Sequence, residues 1–588
     1  MTTSVLAVAL EAEGERHRKA ECDGMVCCQK NTSANYLVCR PTEGRKRRLP
    51  LSLFTLIDAG HGSRFVRVGN NRELLTRRSS TWRIAMKDET NGLTRRDFMK
   101  KTGITVGAGA LVGSQLFPRS LQAKELPTKW DKKADVVIVG SGYSGLAAAI
   151  EAHDAGSSVI ILEKSRMPGG NSAISSGGYN AVDPDKQKKQ GIEDSLELHY
   201  KQTLEGGDFR GRPENVKYYV ENALDGVHWL EKLGVEFEPT VYTIVGALWP
   251  RSHGVANGGR GAAIINVMKK HVKERKIPIL KEHKLTGLFR EKPLNGSVCG
   301  VEVDHRGKTL TVKANKAVIL ATGGFAASSE MRSRFDPRLT ADVPTTNVPG
   351  ATGEAILYAE DIGADVVGMD YIQGLIACNY FTKKYGSLAN LGIDHAAFIN
   401  LNGERFVAED QRRDVMAEAT LVQPKKVLLW VADSQCRKRF NAEKTKQFVE
   451  KELIFTSDTI EGLAKILNKK FDVPADKFVA TIKKYNDFAA KGKDADFAKR
   501  KENLKPIEKG PFWASPTQVG VHHTMGGVCI NGPSCQVIDR WGKVIPRLYA
   551  AGEITGGIHG TNRLGGNATG DCIVFGRTAG KNAAAEKA

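Results

Sequence analysis

The 588-residue sequence contains no run of 18 apolar residues, which excludes a conventional transmembrane helix. It has no Cys-x-x-Cys pair, so neither a zinc site nor a disulfide framework is supported, and no metal site is expected. It has no Cys-x-x-Cys-His either, so no c-type haem is expected on this chain. Of ten cysteines, Cys22, Cys27, Cys28 and Cys39 lie near the N-terminus and six are scattered. Basic runs interleaved with aromatics are also missing. The net charge of +20 would suggest nucleic acid, but half of it falls within residues 1–123. The excess on the remaining body suits acidic substrates or partners, and no nucleic acid is expected.

What is present is ordinary globular composition, 41% hydrophobic and 26% charged, in a chain too long for one core. The stretch "LTRRDFMKKTGITVGAGALVGSQLFPRSLQAKE" carries Arg95 and Arg96 ahead of a short apolar segment, Ile104 to Phe117, and a small-residue site at Ala123. That is the layout of a twin-arginine export signal over 86–123, and it predicts the periplasm. Such a signal belongs at an N-terminus. Residues 1–85 are therefore expected to be an over-extended reading frame or a disordered leader, with Met86 as a sensible start.

"ADVVIVGSGYSGLAAAIEAHDAGSSVIILEK" (134–164) reads as strand, glycine turn, helix and second strand. Gly140 permits a tight turn, Gly142 lets a pyrophosphate approach, and Gly145 lets helix pack on strand. The helix N-terminus faces phosphate, and Glu163 is placed to accept from a ribose hydroxyl. A second glycine-rich stretch, "KSRMPGGNSAISSGGYNA", follows at once. "KAVILATGGF" (316–325) and "RLYAAGEITGGIHGTNRLGGNATGD" add further strand ends rich in glycine. Three such ends able to converge suit FAD better than NAD. Only one dinucleotide fingerprint is visible, so electrons are expected from another protein.

From about residue 130 to 588 the chain resembles the flavoproteins of the fumarate reductase and succinate dehydrogenase family, especially the soluble periplasmic flavocytochrome c fumarate reductases. The resemblance rests on "VVIVGSGYSGLAAAI", "GGNSAISSGGYNA", "AVILATGGF", "NLNGERFVAEDQRRD", "GVHHTMGG" and "LYAAGEITGGIHGTNRLGGNA". It implies an α/β fold: a Rossmann-like FAD-binding domain in two segments, 126–372 and 516–588, with a mobile α+β clamp domain inserted at 373–515. It implies noncovalent FAD held around Gly140, Gly142, Tyr143, Ser144, Gly145, Glu163, Lys164, Gly170, Asn171, Ser172, Gly177, Gly178, Ala321, Thr322 and Gly323. His522, Gly552, Glu553, Arg563, Gly566, Asn567 and Ala568 complete that set. The haem domain usual in this group is absent, which implies a separate periplasmic cytochrome c as electron donor.

The family reaction is reduction of an α,β-unsaturated carboxylate, with a hydride from flavin N5 to one alkene carbon and a proton from an arginine to the other. The resemblance assigns the acid role to Arg413, with Glu409 and Arg412 near it in sequence as relay candidates. It assigns the carboxylate grip to His523 and Arg563, which makes Arg413, His523 and Arg563 the expected catalytic set. His253 of "SHGVANGGRG" is read as packed or beside the flavin. Ile244 or Thr243 falls near the place of a bulky side chain above the flavin ring.

One part of the pattern is missing. Fumarate reductases hold the second carboxylate with a histidine after "YIQ" and a downstream Thr-Glu pair. Here Gly374 and Leu375 follow, and no Thr-Glu pair appears in "KKYGSLANLGIDHAAFIN". Leu375 donates no hydrogen bond, so fumarate is expected to bind poorly. Asp394 or His395 is a candidate replacement in the relay. A monocarboxylate such as acrylate or methacrylate is the expected substrate. Aryl-acrylates and urocanate, with Tyr380, Asp394 and Asn379 toward an imidazole, remain open. So do fumarate itself and the reverse chemistry of a flavin dehydrogenase or oxidase.

Overall fold

The computed structural model describes residues 124–588 apart from 245, 386–391 and 437–441, together with five short strands near the N-terminus. Three of these, Val5–Val8, Met25–Lys30 and Tyr36–Pro41, form an antiparallel sheet with the last in the middle, and Leu53–Ile57 pairs with Arg64–Val68. The rest of the expected leader and the whole twin-arginine segment 86–123 lie outside the described residues.

Within the body, the fingerprint folds as its pattern requires. Val136 to Val139 are all buried, as expected of a strand covered on both faces. The Lys132–Val139 strand pairs in parallel with Val159–Glu163 on one side and with the second half of Lys308–Leu320 on the other. Ile279–Lys281 extends the sheet past Val159–Glu163, and Val544–Ala550 adds a further parallel neighbour to Lys308–Leu320. An antiparallel meander, His283–Lys292 and Asn295–His305, joins through the first half of the same long strand, and Gln536–Ile538 completes eight strands. The helix Tyr143–Asp154, buried along its alanines, packs against the C-terminal helix Asn567–Ala585. Chain segments more than 400 residues apart therefore meet over one sheet. This is the expected α/β, Rossmann-like architecture.

A second sheet is built largely from the segment where the clamp is expected. Phe512–Thr524 is its spine, pairing antiparallel with Ile372–Asn379, Val427–Ala432 and Phe455–Ser457, and Ala396–Ile399 adds an edge. Leu463, Leu467, Phe478, Ile482 and Tyr485 of two amphipathic helices, Ile460–Phe471 and Ala475–Lys491, form a separate core against this sheet. The spine strand runs without a break across the expected 515/516 boundary and delivers His522, His523 and Thr524 toward the glycine-rich side. Among the described residues no helix is long and apolar enough to cross a membrane.

Candidate active site

Two sites meet here, a cleft along the parallel strands and a cluster of cations at its far side. The cleft is lined by Gly140, Gly142, Tyr143, Ser144, Glu163, Lys164, Gly170, Asn171, Ser172, Ala321, Thr322, Gly323 and Glu553. At Gly140, where φ is +104°, a β-carbon would lie 2.2 Å from the Ala321 carbonyl oxygen, so only glycine allows this approach. Gly145 lies behind the cleft and abuts the Gly140 carbonyl, as helix-to-strand packing demands. The Thr322 hydroxyl is buried on the cleft wall without a protein partner. The Tyr143–Asp154 helix has glycine, Gly142, at its N-cap, and its first N–H, on Tyr143, donates to Ser172 Oγ at 3.1 Å. An orphan hydroxyl beside a glycine-started helix N-terminus suits a pyrophosphate-bearing cofactor. The donor set therefore fits FAD.

Some expected cofactor residues are turned elsewhere. Asn567 is fully buried, and its carboxamide meets Asn180, Thr203 and His199. Only the backbone at the N-terminus of that helix, after Gly566, and Ala568 beside it, are left for a ligand. Lys164 lines the cleft, yet its ammonium is paired with Glu354 at 3.1 Å. Glu163 accepts from Ser165 N at 2.7 Å and from Ser141. Gly177 and Gly178 serve packing, the first against Arg260 and Gly261, the second against Ile244. Gly552 packs against Ser144. His522 is the extra residue of a bulge, since Gln373 pairs with His523 and Gly374 with Val521. Its Nδ1 meets Thr346 Oγ1 at 2.7 Å.

The cation cluster gathers residues from four segments. Arg563 is buried; its Nη2 donates to Gln373 Oε1 at 3.0 Å and its Nη1 to the Leu564 carbonyl at 3.1 Å. Gln373 is held in turn, donating to Asn562 Oδ1 at 2.7 Å and to the Arg563 carbonyl at 2.9 Å. On the neighbouring strand His523 pairs with Gln373, and its ring lies 5.6 Å from that of His559, which contacts Asp571 at 3.1 Å. Arg413 opens the helix Arg413–Leu421 and lies over Gly246, where a β-carbon would be 2.3 Å from the guanidinium Nε. Gly246, at φ +81°, is where this loop passes between the arginines, its carbonyl accepting from Gly565 N at 2.8 Å. Any side chain there would displace Arg413.

Burial, with the Arg563 charge nearby, pushes the Arg413 guanidinium down to about 9. Burial lowers Arg563 to about 10 despite the pull of Glu553 and Asp571. His523 is held well below its ordinary value by burial and by Arg563, so it is neutral. Glu553 beside Thr524 is raised to about 7 by burial. Arg413 Nε, Arg563 Nε and His523 Nδ1 are all buried without a protein hydrogen-bond partner.

Neighbours in sequence are not neighbours in this site. Glu409 is fully committed to Arg405, Lys499 and the Phe398 N–H, and Arg412 points to Asp208 and Asp414. Neither relays protons to Arg413. The Asp394 carbonyl takes Lys505 N and the Tyr485 hydroxyl, and His395 donates to the Pro506 carbonyl, which sets both on the clamp core. The charged group acting on Arg413 is instead Arg563, opposed more weakly by Tyr385, which is 52% exposed. His253 is fully buried between the Tyr179 carbonyl and Asp183, so it is a packed residue. Ile244 lies on Gly178, two residues from Gly246, and thus borders the site.

Residues 135–569 match the FAD binding domain family. The chain belongs to that family. It is an FAD-dependent oxidoreductase acting on carbon–carbon double bonds, as the motifs imply. This flavoprotein is 34% identical to a urocanate reductase of Eggerthella lenta over 83% of its own length and 80% of that protein. It is 32% identical to an acrylate reductase flavoprotein subunit of Shewanella woodyi over 83% of its own length and 99% of that subunit. Among solved structures it is similar to the open conformation of a flavocytochrome c3 fumarate reductase. There the TM-score is 0.67 and the identity 34%, covering 77% of this chain and 78% of that one.

Gln373 and Gly246 are members of the site to which the residue pattern assigns no role. The only signal for Gln373 is its place in the "YIQ" tripeptide. In the flavoprotein, Gln373→Leu leaves a buried Arg563 N–H unpaired, at a cost of about 1.5–3 kcal/mol. The expected result is a KM roughly tenfold or more higher at unchanged flavin absorbance, measured in steady-state assays.

Proposed function

We propose that this flavoprotein reduces a small α,β-unsaturated monocarboxylate of the acrylate or methacrylate kind. The observation that carries the reading is the set of three orphaned polar atoms, Arg413 Nε, Arg563 Nε and His523 Nδ1, with Leu375 two positions along the strand from the Gln373 that holds Arg563. Gln373 and Leu375, two apart on one strand, share the face turned to Arg563. Gly374 turns away toward Val519 and Ala417. A substrate with one carboxylate satisfies the polar end and offers carbon to Leu375.

FAD held in the cleft supplies the two-electron reduction. Arg563 and neutral His523 hold the carboxylate and draw charge from the alkene as it becomes carbanion-like. Arg413, lowered to about 9, gives up its proton more readily than an exposed arginine while remaining charged at neutral pH. The arrangement disfavours an imidazole tail. Asn379 is spent on the Leu453 carbonyl and its own turn, and Tyr380 packs against Phe381 and Phe471.

Because the proton-bearing form of Arg413 is the competent one, kcat/KM is expected to fall as pH rises through about 9 and to stay level below it. Anaerobic oxidation of reduced viologen by acrylate and methacrylate tests the reading; no rate with either would sink it. The proposal extends to export by the twin-arginine route to the periplasm and to a separate cytochrome c as donor, supported by Arg95–Arg96 and the single dinucleotide fingerprint. Mass spectrometry of the mature N-terminus checks the first part, with a start downstream of Ala123 expected.

A further inference from the structure

Arg412 precedes the acid arginine and belongs to the clamp, yet its guanidinium is engaged outside it. Its Nη1 and Nη2 donate to both oxygens of Asp208 at 2.8 and 3.0 Å, while Nε and Nη2 reach Asp414 at 3.1 and 2.7 Å. Asp208 lies in a turn after the helix Leu196–Gly206, and that turn packs on the strip leading to Arg563. The Thr561 hydroxyl donates to Asp208, Thr561 N to the Gly207 carbonyl at 3.1 Å, and Asn562 Nδ2 to the Gly206 carbonyl at 3.1 Å. Asp208 and Phe209 are both non-glycine residues in the left-handed region, at φ 53° and 56°. Such a conformation persists only where surrounding contacts enforce it, and here it presents the carboxylate to Arg412.

We propose that the Asp208–Arg412 pair is a latch that closes the clamp over the FAD-binding domain and sets Arg413 against Arg563. The fork joins the residue before Arg413 to the Asp208 turn, which Thr561 and Asn562 in turn bond to the strip ending in Arg563. Asp208 and Arg412 are positioning residues, since neither touches substrate. Both side chains are well exposed, 47% and 39%, so the latch opens to admit substrate and is weakened by salt. A substrate carboxylate bound between the two arginines pulls the same equilibrium closed, so loss of the latch appears in apparent affinity rather than in turnover. This last point rests on the enoate reading above; the latch itself does not.

The test uses the FAD-loaded protein with Asp208→Asn, Arg412→Gln, both together, and Arg412→Lys, with flavin absorbance as the folding control. Without substrate, each single variant should speed amide exchange in 206–212, 243–250 and 410–416 and leave the Lys132–Val139 strand protected. With acrylate, each should raise KM about fivefold with kcat within about twofold, the double variant being no worse than either single. Raising ionic strength should move the unmodified protein toward the variants without moving the variants, and Arg412→Lys should fall between. Unchanged exchange in both singles, additive losses in the double, or a kcat loss at constant KM would overturn the latch. Faster exchange with no turnover of any enoate supports the latch and overturns the substrate reading.

Discussion

Replacing Arg413 with alanine is expected to lower turnover by about 10²–10⁴-fold, the range for loss of a positioned proton donor, while the protein stays yellow. The charged groups near it in sequence or on the same network are already engaged. Glu409 and Lys499 are locked in a buried network with Arg405 and Asp494, and Arg412 faces Asp208. Cofactor retention is expected because Arg413 lies over Gly246, outside the cleft lining. Lysine should rescue poorly: the flat guanidinium lies against the Gly246 backbone, and a lysine ammonium is a compact point charge on a flexible stem. Stopped-flow reoxidation of reduced enzyme by acrylate is the measurement. Turnover within about tenfold of the unmodified protein would remove Arg413 from the acid role.

Fumarate should be a poor substrate, with kcat/KM roughly 10²–10³-fold below that for acrylate or methacrylate. Its first carboxylate meets the same arginine and histidine groups. Its second would be carried toward Leu375, whose own side chain offers no donor, on the strand face shared with Gln373. An unpaired carboxylate in such a place costs several kcal/mol, far more than the attraction of the general positive field returns. Leu375→His should narrow the gap by about tenfold, because one neutral donor restores part of what was lost. Competition assays with both substrates in one vessel give the ratio directly. Equal efficiency for fumarate would overturn the argument from Leu375.

The contrast between the two halves of the site shows how far residue order reaches. The FAD cradle is built mainly from contiguous strand, turn and helix, and Gly140 and Gly145 make in space the tight turn and close packing that their spacing implies. Glu163 and Thr322 reach the same cleft from other strand ends, because parallel strands in one sheet finish on one edge. Asn567 is the exception. It begins the C-terminal helix, and its carboxamide is spent on Asn180 and Thr203.

The substrate half is another matter. The residue types were legible: Arg413, His523 and Arg563 in their motifs, and Leu375 in place of a donor. Their partners were not, because adjacency along a chain says little about direction. Glu409, Arg412 and Arg413 lie within five positions, yet they face a buried ion network, a surface latch and the active site. Gln373 and Gly246 become meaningful only when four distant segments close on one another. By itself the sequence determined the cofactor and the family, since these follow from local geometry and residue chemistry. The tertiary structure alone decided which cations are buried without partners and which are already paired. Those pairings depend on long-range packing that places Arg413 over Gly246, Gln373 under Arg563 and Asp208 against Arg412.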